Sequence, residues 1–473
     1  MSDDSYFSPG VLLAGRERGR LLLCLAVAAA LHLAGGSLSS GAIEKPPLAT
    51  LAPEFIAPPA GGKLPSEIEE LQQAAEHFQK QDYQRSWDLL VAARKKYPYL
   101  PPPRLMLARF FLVHDLLPPA RVALEQAAVE DPQSPGVYLT LAEMALAERR
   151  VTDALVHFEK AAHLVESGKW PDSQRIGFSV QVQSGLASVA EARQDWRSAA
   201  RYLATVLQVQ PANGRARYRL ARALFAQGDL AGAQAHLEKA TKDDPSLEPV
   251  PVAMAWFHAH QGASQKAREW IDRAVADAPE DARTRIGAAT WFLYHREPEK
   301  AKPHAVAAER LDPKSKQASL IFAVVARHLR DYTAAESRLE ALHRAEPGDL
   351  DVANQLALVL ADQADEAKRR RALDLAESAA KSHPTSGEAL ATLGWVSYRL
   401  GRLADAEQAL RTAQASGGTR PDTGYYLARV LAERGRTAEA GKLLKQALDT
   451  PGTFVFHADA KRLLEEWGKS APQ

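Results

Sequence analysis

Two series of residues keep the same interval along most of this chain. Pro211, Pro245, Pro279, Pro313 and Pro347 stand 34 residues apart, and Pro98 and Pro132 repeat the spacing earlier. Proline lacks an amide donor and clashes with the preceding turn, so each marks the end of a helix. The second series is one of small residues. It runs Ser86, Ala120, Ala154, then Ala199, Ala233, Ala267, Ala301 and Ala335, then Ala372, Ala406 and Ala440, in steps of 34 within each group. Two series in one register exclude a single globular core and require a stack of similar units.

The stretch Glu388 to Ala413 shows what one unit contains. Leu390, Leu393, Gly394 and Ser397 recur at helical spacing on one face. Gly401 permits a tight bend, since glycine enters the left-handed conformation without a Cβ penalty. Leu403, Ala406, Leu410 and Ala413 form the apolar stripe of a second helix, and Gly394 and Ala406 are small where the two helices meet. Neither helix buries its stripe alone. This unit resembles a tetratricopeptide repeat, the helix–turn–helix module of period 34. The fold class expected is therefore all-α, a solenoid of such repeats, and the resemblance implies a right-handed superhelix.

Eleven units are expected, at 67–100, 101–134, 135–168, 180–213, 214–247, 248–281, 282–315, 316–349, 350–386, 387–420 and 421–454. An inserted loop at 169–179 separates repeats 1–3 (67–168) from repeats 4–11 (180–454). Three extra residues fall near 364–371 and three near 416–421. The unit at 282–315 departs most, with Arg296-Glu297-Pro298 in place of the glycine bend and Ala305 in a slot that is usually larger, so its helices are expected to pack thinly. Residues 455–473 read as a C-terminal capping helix and tail, the helix taken to begin at Phe454, with Phe456, Ala460, Leu463 and Leu464 covering the last unit.

The amino terminus has another character. Arg16, Arg18 and Arg20 precede the apolar run Leu21 to Ala34, the layout of an export signal, and the run is short for a spanning helix. Residues 1–36 are read as a signal peptide or membrane anchor, and 37–66, rich in Pro, Gly and Ser, as a tether. Either form exports the repeats, so an exported, periplasmic or envelope location is expected, with membrane contact only through this segment; the lesser alternative is a buried amphipathic helix of a cytoplasmic protein.

Composition narrows the functions. Lys plus Arg (59) balances Asp plus Glu (58), which gives no field for nucleic acid. Cys24 is the only cysteine, so an intramolecular disulfide and cysteine-ligated zinc are excluded. His258 and His260 stand two apart and point in different directions on a helix. No metal, phosphate-loop or nucleophile motif occurs, and the chain reads as non-enzymatic, without cofactor or metal.

The resemblance implies that the first helix of each unit lines a concave face that holds extended peptides or partner helices. Carried over, it places Tyr218, Arg222, Phe225, Trp256, His260, Tyr294, Arg327, His328, Asn354, Trp395, Tyr398, Arg399, Tyr425 and Arg429 there, outside the packing stripes. Aromatic and arginine side chains suit a protein-binding surface. Asn354 near Arg327 is part of a carboxylate-clamp pattern in this family, but Glu388 and Ala391 fill the neighbouring basic positions, so the clamp is incomplete. The expected partner is a protein, and the expected role is a scaffold in envelope assembly or secretion. The alternative is a carbohydrate-binding accessory of an exopolysaccharide secretion machine, with Trp256, Trp395 and the tyrosines stacking on sugars.

Overall fold

The computed structural model describes residues 68–114, 116–416 and 420–469. The expected signal or anchor, all of the tether, and most of the extra residues near 416–421 lie outside them. Among the described residues the chain is all-helical, with 23 α-helices and no strand, and no helix is long and apolar enough to cross a membrane.

Contacts divide the chain into two compact units, which within the described residues are 68–229 and 230–469. The first holds the pairs α1/α2 (Glu69–Gln79, Tyr83–Lys96), α3/α4 (Pro103–Val113, Leu117–Glu130), α5/α6 (Pro135–Ala147, Val151–Ser167) and α7/α8 (Asp172–Ala192, Trp196–Val209), then α9 (Gly214–Ala226). The second begins with α10 (Leu230–Asp243) and the pairs α11/α12 (Val250–His260, Ser264–Asp277) and α13/α14 (Ala282–Tyr294, Pro298–Leu311). It continues with α15/α16 (Lys316–His328, Tyr332–Ala345), α17/α18 (Leu350–Asp362, Glu366–Ser382), α19/α20 (Gly387–Arg399, Leu403–Ala415) and α21/α22 (Pro421–Glu433, Thr437–Asp449), and ends in α23 (His457–Lys469).

Each member of the small-residue series, from Ser86 to Ala440, is 0 % exposed, as a helix-crossing position requires. A Cβ added at Gly394 would lie 2.5 Å from Leu410 Cγ, so the α19/α20 crossing has no room for one. The prolines do what their register implies. Pro98, Pro132, Pro211, Pro279, Pro313 and Pro347 each follow the C-cap of a second helix by one residue. Second helices open on aspartate caps at Asp82, Asp195 and Asp331, whose carboxylates accept the backbone N–H three residues on.

Among the described residues nine bends between paired helices take a left-handed residue, and that between α17 and α18 takes none. The left-handed residue is glycine at Gly228, Gly262, Gly401 and Gly435, but Gln81, Arg149, Gln194, Arg296 and Arg330 adopt the same conformation. A glycine is therefore a sufficient signal for the bend and not a necessary one.

Three expectations need correction. The insertion expected as a loop at 169–179 is mostly helix, because α6 runs to Ser167 and α7 starts at Asp172. No breaker follows Pro171 to stop the helix, and Trp170 ties the short link back, its Nε1 donating to Leu164 O at 3.0 Å and its ring meeting Phe178 edge-on at 5.4 Å. The extra residues near 364–371 likewise enter α18, which has 17 residues. Thin packing at 282–315 is not seen. Ala301, Ala305 and Ala308 are fully buried, and the His304 ring lies flat on Phe292 at 5.3 Å. Lastly, the C-terminal helix starts at His457 and not Phe454, since Pro451 and Gly452 (φ +120°) leave 450–456 non-helical.

Candidate partner-binding face

A first helix in such a stack meets its own second helix and the first helices of neighbouring units. In the second unit α13 meets α15, α15 meets α17, α17 meets α19, and α19 meets α21. More of its circumference is covered than one stripe. This decides where the fourteen expected residues go.

Eight are buried: Tyr218, Phe225, Trp256, Arg327, Asn354, Trp395, Tyr398 and Tyr425. Arg222, Tyr294, His328, Arg399 and Arg429 are half-buried, and His260 is exposed. The expectation that Trp256, Arg327, Trp395 and Tyr398 lie outside the packing is corrected, since the most exposed of them, Tyr398, reaches only 9 %. Their aromatic and cationic groups still converge; they converge on one another and on a further segment of the chain.

In the first unit Arg222 pairs with Glu191 at 3.1 Å and lies over Trp196 at 5.7 Å, while Tyr218 and Phe225 are buried beside it on α9. At the start of the second unit Trp256 packs edge-on against Tyr294 at 5.2 Å. The His260 ring Nδ1 lies 2.7 Å from Trp256 O. Asn354 is fully buried, and neither side-chain amide atom is hydrogen-bonded within the protein.

The densest site is farther along. Arg327 donates to Asp362 Oδ2 at 2.9 Å and to Tyr426 Oη at 3.2 Å. Trp395 Nε1 donates to the other oxygen of Asp362 at 2.8 Å, and Arg399 donates to the Asp362 carbonyl at 3.2 Å. The Trp395 ring stacks on Tyr426 at 4.3 Å and on Tyr398 at 5.2 Å, and Tyr398 Oη donates to Glu433. Arg429 donates to Tyr425 Oη at 3.0 Å. Four first helices, α15, α17, α19 and α21, thus build one wall of arginine and aromatic groups around a single carboxylate.

Electrostatics follow from that burial. Burial works against the Arg327 charge, but Asp362, then Tyr426 and Asp422, hold it protonated and raise its pKa. The neighbouring His328 is driven the other way, down to about 3, by burial and by the Arg327 charge. Burial pushes Asp422 up to about 6 despite Arg327 and a backbone N–H that favour its anion.

Asp362, Asp422, Tyr426 and Arg296 belong to this site and were not among the expected residues. Asp362 had a signal, a lone acid ending the apolar run Leu356 to Ala361. Arg296 had none, because its role depends on residues some 150 positions away. Among the described residues no group of three or more His, Cys, Asp or Glu is placed to hold a metal ion.

Models described as tetratricopeptide repeat match the chain at residues 190–247 and 224–285, and at 287–350 and 362–421. No curated protein matches the chain. Among solved structures it is similar to yeast Tom70, at 15% identity and TM-score 0.35, covering 85% of this chain and 95% of that one. The Cut9–Hcn1 hetero-tetramer of the APC/C is similar at 12% identity and TM-score 0.37, with 85% and 97% covered. The Thermus thermophilus repeat protein TTC0263 is similar at 18% identity and TM-score 0.34, with 40% and 100% covered. Likeness at that level says nothing of what this chain binds.

Proposed function

Since the chain belongs to the tetratricopeptide-repeat family, whose repeats serve as protein-interaction scaffolds, we propose that it is a non-catalytic scaffold, exported or held at the cell envelope, that grips a segment of a partner protein along its first helices. The observation that carries this reading is the wall built by Arg327, Asp362, Trp395, Tyr425 and Tyr426, which come from four successive first helices. Buried arginine and stacked aromatics held rigid by their neighbours offer contact area at little entropic cost. Half-buried Arg399 and Arg429 at its margin keep donors within reach of a partner's carbonyls or carboxylates.

Support for the envelope location comes from Arg16, Arg18 and Arg20 ahead of Leu21 to Ala34. Envelope assembly or secretion is the role that such a location and a peptide-holding face suit together. The alternative, a carbohydrate-binding accessory, would use the same buried aromatics, Trp256 and Trp395, each only 2 % exposed.

Two measurements test the proposal. The purified full chain, presented with a library of extended peptides, is expected to retain a subset, and Arg399→Ala or Arg429→Ala to weaken retention at least fivefold. Refusal of every peptide and of every folded partner tried sinks the scaffold reading. Fractionation of cells is expected to find the chain outside the cytoplasm or in the membrane. A wholly cytosolic chain with Met1 to Ala34 retained removes the export half alone.

A further inference from the structure

The wall just described already has an occupant. After α22 the chain leaves helical conformation at Thr450, and Gly452, in a backbone conformation that side chains rarely adopt, turns it past Tyr294 on α13. Phe454 and Phe456 are then 3 % and 9 % exposed. Phe456 lies flat on Tyr425 at 4.8 Å, meets Trp395 at 5.1 Å and has the Arg327 guanidinium 5.9 Å away. Val455, between them, donates its backbone N–H to Asp422 Oδ1 at 3.2 Å.

Both ends are held by residues of much earlier units. Arg296 donates to the carbonyls of Leu448, Thr450 and Gly452 at 3.1, 2.5 and 3.4 Å, and Arg330 pairs with Asp459 at 2.7 Å. Covering the last repeat needs contact with α21 and α22 only. Reaching back to the bends after α13 and α15 does not serve that purpose. Nearly all of the hold is side chain to main chain, plus two aromatic seats one residue apart on a turn that leads into α23, His457 N–H donating to Phe454 O at 3.4 Å.

We propose that residues 450–459 are a displaceable strap occupying the partner groove of this unit, and that the partner is a segment able to take the same turn and bearing two aromatic side chains separated by one non-proline residue, which takes the seats of Phe454 and Phe456. The middle residue keeps its N–H for Asp422. The proposal rests on the scaffold reading above and adds the occupant and the partner's chemistry.

The test uses the full chain and a fluorescent peptide spanning Asp449 to Asp459. Wild type is expected to bind the peptide weakly, because its own strap holds the groove at high effective concentration. The double variant Phe454→Ala with Phe456→Ala, checked for retained helix by circular dichroism, is expected to bind it at least tenfold more tightly. Peptides with both phenylalanines changed to alanine, or with Val455→Pro, are expected not to bind. Equal affinity of the double variant for the native and alanine peptides overturns the proposal.

If that variant does not fold, hydrogen exchange on the wild-type chain decides instead. Strap amides are expected to exchange at least tenfold faster than those of α19 and α21; a common rate means the strap leaves only on unfolding, and overturns it. Library peptides that bind without being displaced by the strap peptide keep the scaffold reading and overturn the strap. An opened variant that takes the strap peptide while every library peptide is refused overturns both.

Discussion

Arg327 and Asp362 form the most consequential pair of side chains, because both are nearly removed from solvent, at 4 % and 1 % side-chain exposure. Removing one partner of such a pair leaves an uncompensated buried charge. Arg327→Ala is therefore expected to destabilise the second unit by about 3–5 kcal/mol, read from the urea midpoint, and the double change with Asp362→Leu to recover part of the loss. A midpoint unchanged in the single variant contradicts the burial described here. His328 beside it stays neutral in the fold at pH 5, with its pKa at about 3, while the unfolded imidazole titrates at the ordinary value. The unfolded chain then binds the extra proton, so this residue's contribution to stability is complete above the ordinary histidine pKa and declines as pH falls below it. Asp422 and Asp351, both raised to about 6 by burial, act in the opposite sense and stabilise as pH falls through 6. The two effects separate in His328→Leu. Between pH 7.5 and 5, wild type is expected to lose about 1 kcal/mol relative to that variant, a figure discounted for the partial exposure of the ring.

At the scale of the element, the helix pair was largely legible. Proline stops and small residues at each crossing are local signals, and they fell into register because every unit solves the same packing problem. Ala406 is fully buried, and its carbonyl lies 3.2 Å from where a Gly394 Cβ would sit. Ala406→Phe is expected to cost about 1–3 kcal/mol through overpacking. A urea midpoint equal to wild type would remove that crossing from the register. What the pair did not reveal was how an insertion is absorbed. Extra residues between repeats can lengthen the flanking helices as easily as form a loop, and the choice at 168–171 fell to Trp170 finding Leu164 and Phe178.

At the scale of the molecule, most contacts among the described residues join an element to its neighbours, as a repeat array requires. The strap reaches farthest, linking residues 152–156 apart through Arg296 and 129 apart through Arg330, beyond the 99 that separate Arg327 from Tyr426. The two links differ in worth. Arg296 makes three charged hydrogen bonds in a partly buried place, so Arg296→Ala is expected to lower stability by about 1.5–3 kcal/mol with the backbone conformation kept. Arg330 is 65 % exposed, and Arg330→Ala is expected to cost under about 1 kcal/mol. Urea midpoints of the two variants, measured side by side, check the contrast; equal effects would mean that the Arg296 bonds carry no such weight.

The sequence by itself determined the helix–turn–helix unit, its period, and the family, because these depend on spacing within some 34 residues. It also marked arginine and aromatic residues on the first helices as worth attention, and Arg327, Trp395, Tyr398 and Tyr425 do stand in one constellation. Tertiary structure alone decided that most of them face inward. A first helix is enclosed from several sides in the stack, and a helical stripe reports only one of those sides. It also decided that Phe454 and Phe456, which read as part of a terminal helix, lie non-helical against Trp395 and Tyr425. That placement depends on residues of different repeats, from Tyr425 back to Arg296, meeting in space, and no local pattern encodes such a meeting.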